Sequence, residues 1–242
     1  MQYLQKTTSD INTFPTAPSV VGEFISSESR ITKYCPYTSG LVFWLDGIDK
    51  GPNSGNWTDL IGGHIFTNTG AISNDNHWYF NNTYQTAAVA YMRNSDTLGF
   101  LKPNCTIEVV YDSEINGYFC LFIQKTSNGI IWGTNSSGAQ YISSVYTASP
   151  IFPRTAAPEC ITASIRTGLM YKNGVAVSTS TDTNKFGTIP SYNCIGYSDK
   201  ATTWAFKGKL YSIRIYNRQL SAAEMVYNQK IDNKRFNLGL EI

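Results

Sequence analysis

After Gly40 the chain breaks into short apolar or alternating runs separated by Gly, Asn, Asp and Pro, the punctuation of antiparallel strands. Leu41 to Leu45 is continuously apolar, which predicts a strand buried on both faces. Thr106 to Tyr111 alternates, with Ile107, Val109 and Tyr111 on one side and Glu108 and Val110 on the other. Further strands are predicted at Tyr118 to Ile123, Ile130 to Trp132, Tyr192 to Gly196 and Trp204 to Tyr216, the last with Tyr211, Ile213 and Ile215 on one face. Ile161, Ala163 and Ile165 alternate with Thr162, Ser164 and Arg166, which places an apolar face inward and a polar face outward. Between Gly168 and Val177, Asn173-Gly174 suits a type I′ turn, whose twist matches that of a hairpin.

One segment has helical rather than strand periodicity. Ser221-Ala-Ala-Glu224 is a capping box, in which the Ser hydroxyl accepts an amide and Glu224 reaches back to the cap. Leu220 and Met225 are spaced for a hydrophobic staple across it. Ala223, Val226, Tyr227 and Ile231 form a stripe that predicts a structural helix over 221–235, docked on the sandwich edge. Lys230, Lys234 and Arg235 suit the negative end of its dipole. Residues 1–36 differ from everything after them: Pro15, Pro18 and Pro36 stand among many Ser and Thr with no sustained period. They read as an extended arm that anchors on another protein, with a plain linker or an added strand as the alternatives, ahead of one domain over 37–242.

Composition supports the all-β prediction. Asn, Thr and Ser together exceed a quarter of the 242 residues, only 15% are charged, and 16 Tyr, 12 Phe and 5 Trp are available for a core. Net charge is +2 and the pI about 8.2, too little for a nucleic-acid face. The excess of Lys and Arg after residue 198 is spread along strand and helix, which predicts a solvated face. Cys35, Cys105, Cys120, Cys160 and Cys194 are odd in number, widely spaced and without a CxxC pair, so buried thiols are expected rather than zinc ligands or a disulfide scaffold. Met1 to Asp10 lacks a signal-peptide pattern and no run could span a bilayer, so synthesis in a cytoplasm without Sec export is expected, with no membrane partner.

The string from Phe206-Lys-Gly-Lys-Leu-Tyr-Ser-Ile-Arg-Ile-Tyr-Asn-Arg to Leu220-Ser-Ala-Ala-Glu224 resembles the closing signature of concanavalin A-like, laminin-G-like jelly-roll domains. There a Gly precedes the last strand, Tyr-Asn-Arg ends it, and Leu-Ser-x-x-Glu opens a short helix. Gly168 to Val177 is similar to a hairpin of that family, and Gly40 to Asp49 with Trp57 to Gly63 resembles its opening strand and loop. The resemblance covers about residues 38 to 236. It implies a two-sheet antiparallel jelly-roll sandwich of about six strands per sheet, with an extended N-terminal arm and one short C-terminal helix. Such domains occur in bacterial surface proteins, as accessory modules of glycoside hydrolases, and in phage structural proteins. The Trp44-Leu-Asp-Gly-Ile-Asp49 opening behind a short arm looks most like a virion component of a tailed phage, made in the host cytoplasm. The function this implies is non-enzymatic decoration of a head or tail. The implied partners are other virion proteins through the arm, a host or mucosal glycan, and further copies of the chain. The alternative is a bacterial surface or secreted carbohydrate-binding module, or a glycoside hydrolase.

Hydrolysis in this superfamily uses carboxylates along one strand, and Glu108, Asp112 and Glu114 share parity. At about 3.3 Å per residue Glu108 and Asp112 would stand about 13 Å apart, beyond the roughly 9.5 Å that an inverting pair tolerates. Asp112 and Glu114 are closer but adjoin a predicted turn, so no catalytic residue is assigned. His64 and His77, the two histidines, lack a nucleophile elbow and read as packing residues. No cofactor is expected. Asp46, Asp49 and Asp59 offer hard oxygen ligands near the first loop, without the dense spacing of a dedicated calcium site. Sugar binding would use rings that stack on pyranose faces, and Trp57, Trp132, Tyr197 and Trp204 lie beside Gly or polar loop residues. Trp44 and Trp78 sit inside strand-like runs and are expected in the core.

Overall fold

The computed structural model describes residues 36–242 apart from 54, 84–87, 97–103, 115–118, 125–129, 135–138, 145–151, 154–157, 165–168, 180–192 and 198–204; for the strand residues between 119 and 153, and for 178–179, it describes the backbone. The predicted arm over 1–36 thus lies outside the described residues but for its last position. In chain order the strands are β1 (Leu41–Asp46), β2 (Trp57–Thr58), β3 (Ile65–Thr69), β4 (Ile72–Ser73), β5 (Trp78–Asn81), β6 (Tyr91–Asn94), β7 (Thr106–Ser113) and β8 (Phe119–Gln124). They continue as β9 (Ile130–Thr134), β10 (Ala139–Ser144), β11 (Phe152–Pro153), β12 (Glu159–Ser164), β13 (Leu169–Lys172), β14 (Val175–Thr179), β15 (Asn193–Ile195) and β16 (Lys207–Tyr216), followed by α1 (Ala222–Phe236).

All pairings are antiparallel and form two sheets of eight strands each among the described residues, against the six or so expected. The first runs β14-β13-β12-β7-β16-β5-β4, with β1 also on β16; the second runs β11-β10-β9-β8-β15-β6-β3-β2. β16 is long enough to hold β5 along Lys207–Leu210 and β1 along Ser212–Tyr216 on one side while β7 fills the other. Phe43, Ile107, Val109 and Ile213 from the first sheet meet Phe66, Met92 and Ile195 from the second in one core. Each such buried side chain contributes about 1.5–3 kcal/mol.

Three local features follow from sequence. Asn173 and Gly174 both have positive φ, 48° and 82°, as a type I′ turn requires. Gly208, the glycine of the closing signature, has φ 139° and its absent Cβ would lie 2.1 Å from the Asp112 carbonyl oxygen, so no other residue fits there. A register shift between Leu210 and Ser212 turns Tyr211 away from Ile213 and Ile215, to pack with Val110, Cys160 and Phe236. This corrects the expectation that those three share a face, and the cause is the bulged residue.

The helix is capped as expected: Glu224 N donates to Ser221 Oγ, Ser221 N donates to Glu224 Oε2, and Leu220 shares a cluster with Met225. Its docking differs from expectation. It lies over β12 and β13 on the outer face of the first sheet, and its buried side includes Asn228, Gln229, Asp232 and Arg235, while Ala223 is exposed. The reason is that Glu108, Thr162 and Arg214 point outward from the sheet and need partners. Arg214 and Arg235 are therefore buried and not part of a solvated basic face.

Candidate functional site

The fold decides the chemistry of the candidate carboxylates. Glu108 is 2% exposed beneath α1. It accepts from Arg214 Nε at 2.9 Å, Thr162 Oγ1 at 3.0 Å and Asn228 Nδ2 at 3.0 Å. Arg214 also pairs with Asp232, and Arg235 with Asp46. Burial pushes the Glu108 carboxyl up, while the Arg214 guanidinium favours the carboxylate and the neighbouring Asp232 opposes it. A carboxylate sealed under a helix with every oxygen committed reaches no substrate, so its role is to hold α1. Asp112 pairs with Lys209 at 3.4 Å, and Glu114 accepts from Tyr79 Oη at 3.0 Å.

The first-loop aspartates are likewise committed. Asp59 caps the backbone at Trp44, Ile61 and Gly62, at 2.7, 3.1 and 2.8 Å, and Asp46 Oδ1 accepts from Ile48 N at 2.8 Å. Asp49 Oδ1 accepts from Gly51 N at 3.1 Å. Among the described residues no group of three or more His, Cys, Asp or Glu side chains could hold a metal ion. Cys105, Cys160 and Cys194 are buried, and desolvation holds the Cys160 thiol well above its usual range, which suits packing and not nucleophilic chemistry. Cys35 lies outside the described residues, as does the Cys120 side chain.

The four aromatic candidates separate. Trp57 is 0% exposed: its ring lies 6.2 Å from Trp78 and its Nε1 donates to the Asp46 carbonyl at 2.9 Å. A ring with no free face cannot stack on a sugar, so Trp57 is a core residue, as are Trp44 and Trp78. Trp132 falls in β9 in register with Phe122, and its side chain lies outside the described residues, as does all of Trp204. Tyr197 is half-buried just after β15.

The structure brings two residues to Tyr197 that sequence reasoning missed. On β6, Met92 and Asn94 point inward, so Tyr91 and Arg93 stand on the outer face of the second sheet, with Thr67 and Thr69 of β3 opposite them. The rings of Tyr91 and Tyr197 lie 5.6 Å apart at 37°. The exposed Arg93 guanidinium carbon sits 4.7 Å from the Tyr91 centroid and 5.5 Å from that of Tyr197. Where β6 ends, Asp96 accepts from Asn94 Nδ2 at 3.0 Å and contacts His64 Nδ1 at 2.9 Å, and the His64 hydrogen bond holds its carboxyl below the usual range. Asn193 Nδ2 donates to the Asp96 carbonyl at 3.1 Å, fixing this rim to β15. The signal available in sequence was the alternation Tyr91-Met-Arg-Asn94; what it lacked was the pairing of β6 with β15.

Two antiparallel sheets with a closing helix and a polar-aromatic outer face define a lectin-like jelly-roll sandwich. Residues 100–225, about half of the chain, match the concanavalin A-like lectin/glucanases superfamily, and the chain belongs to it. No curated protein matches the chain. Among solved structures it resembles Trypanosoma rangeli sialidase in complex with sialic acid, with a TM-score of 0.60 at 18% identity over 81% of this chain and 33% of that one. It also resembles the binding domain of botulinum neurotoxin DC in complex with rat synaptotagmin II, with a TM-score of 0.57 at 9% identity over 80% of this chain and 51% of that one. The same toxin domain in complex with SialylT gives 0.58 at 9% identity. The chain thus spans a third of the sialidase and half of the toxin domain, and the likeness is one of fold.

Proposed function

We propose that the chain is a non-enzymatic display protein whose second sheet binds glycans and whose N-terminal arm attaches it to a larger assembly, the virion of a tailed phage. The observation that carries the glycan half is the cluster of Tyr91, Arg93 and Tyr197: paired rings and a polar group on the outer face of a lectin-like sheet. The carboxylates that a hydrolase would need serve α1, lysines and Tyr79 instead. Attachment is supported by geometry at residue 37. Tyr37 N donates to Asn228 Oδ1 at 2.8 Å and its ring packs on Tyr227, so the chain enters the domain beside α1, on the face opposite the tyrosines. The arm composition and the Trp44-Leu-Asp-Gly-Ile-Asp49 opening support the virion.

A glycan array and a reducing-sugar assay on the purified protein test the first half: binding that falls at least about tenfold in Tyr197→Ala, without hydrolysis, is expected. Hydrolysis lost in Glu108→Gln would overturn the non-enzymatic assignment. Deletion of residues 1–35 tests the second half, and should leave a folded domain that no longer joins particles. Wild-type incorporation of that truncation would instead favour a carbohydrate-binding module of a secreted or cell-surface protein. That second reading has in its favour that the similar sialidase and toxin chains are longer than this one.

A further inference from the structure

Asn173-Gly174 carries a chemistry that its role as a turn does not use. An asparagine followed by glycine cyclises when the glycine nitrogen, unhindered by any side chain, gives up its proton and attacks the asparagine Cγ. The N–Cγ bond forms, the Cγ–Nδ2 bond breaks and ammonia carries the proton away. Water then opens the cyclic imide to aspartate or to an isoaspartyl link, in which the chain runs through the former side chain. Asn173 and Gly174 are both partly exposed at the hairpin tip, so water reaches them. Two restraints oppose the reaction. Asn173 Oδ1 accepts from Cys160 N at 2.8 Å and Asn173 N donates to the Cys160 carbonyl at 2.9 Å, so the side-chain amide is tied to β12. The Gly174 N–H is directed at α1, where Gln229 Oε1 accepts it at 2.6 Å. An amide held on an acceptor keeps its proton, and its nitrogen cannot turn onto Cγ until that bond opens. The β13–β14 ladder does not supply this acceptor, because its last pair is Lys172 with Val175 and the two turn residues lie beyond it. Gln229 is itself fixed: it is 2% exposed, and its Nε2 donates to Thr162 Oγ1 at 3.0 Å and to the Tyr171 carbonyl at 2.9 Å. The protecting group therefore belongs to the helix and leaves with it.

We infer that Asn173 is a modification site gated by α1: the docked helix keeps Asn173-Gly174 intact, and undocking opens it to deamidation. The isoaspartyl product adds a methylene to the backbone of a two-residue turn and displaces the Gly174 nitrogen from Gln229, so the brace is not regained and the change runs one way. The test is peptide mapping of the full chain for isoaspartate after incubation in mildly alkaline buffer. Asn173 should react at least about tenfold more slowly in the folded wild type than in the same chain held in urea, the worth of one hydrogen bond. Gln229→Met keeps the volume without the acceptor and should raise the rate at Asn173 about tenfold. Gln229→Glu keeps an oxygen for the Gly174 amide and should stay close to wild type. Hydrogen exchange at the β7 and β16 amides checks that each variant retains its sandwich. If Gln229→Met does not, the wild type in sub-denaturing urea takes its place, and isoaspartate at Asn173 should then rise together with exchange of the α1 amides and ahead of those in β7. A rate at Asn173 as high in the folded wild type as in full urea, or unchanged in folded Gln229→Met, would overturn the inference. So would equal acceleration in Gln229→Met and Gln229→Glu, or isoaspartate that appears only once the β7 amides exchange.

Discussion

His77 is held neutral by its surroundings. Its ring is half-buried, 5.4 Å from that of Tyr211, and burial with the nearby Lys209 and Lys50 charges lowers its pKa to about 4. An unfolded histidine titrates near 6.5, so between about pH 4 and 6.5 the unfolded chain binds a proton that the folded chain refuses. The contribution is therefore zero above that window and increasingly destabilising as pH falls through it. His77→Gln should flatten the fall in thermal midpoint across the window relative to wild type; parallel pH profiles for the two proteins would rule this out. The environment of Trp57 is set by packing across the core and not by its neighbours in sequence. Its loop neighbours Asn56 and Thr58 suggested an exposed ring, yet the indole fills the space beside Trp78 and caps a carbonyl. Trp57→Ala should cost about 3–5 kcal/mol in urea denaturation, as an emptied core site does, rather than act only on ligand binding.

At the scale of the element, α1 was legible at its start and not along its buried side. The capping box needs four consecutive residues and can be read directly. The partners of Asp232 and Arg235 are Arg214 and Asp46, the second of them nearly two hundred residues away, and no local pattern marks them. Two variants separate the contributions. Ser221→Ala removes one accepted amide and should cost about 1 kcal/mol. Arg214→Met leaves Glu108 and Asp232 buried without their shared cation and should cost about 3–5 kcal/mol, measured by equilibrium denaturation. If Arg214→Met costs no more than Ser221→Ala, the ion network is not what holds the helix. The hairpin adds a further tie: Gln229 Oε1 accepts from Gly174 N at 2.6 Å, and Gln229 Nε2 donates to the Tyr171 carbonyl at 2.9 Å, so the type I′ turn is braced by the helix it faces.

For the molecule as a whole, strand alternation together with the Gly208 and Ser221 signatures was enough to reach the sandwich, because both are properties of neighbours in sequence. The site was only half legible. Tyr197 drew attention as a ring beside a glycine, but Tyr91 and Arg93 reach it through a strand pairing that spans about a hundred residues. The same long reach shapes how the fold is made. In the chain β1 precedes β2 to β15, yet its partner β16 and the Arg235 that neutralises Asp46 follow all of them. Leu41–Asp46 therefore has neither its strand partner nor the cation for its carboxylate until the segment from Lys207 to Arg235 has been made, so closing the first sheet carries the entropy cost of a contact between distant parts of the chain.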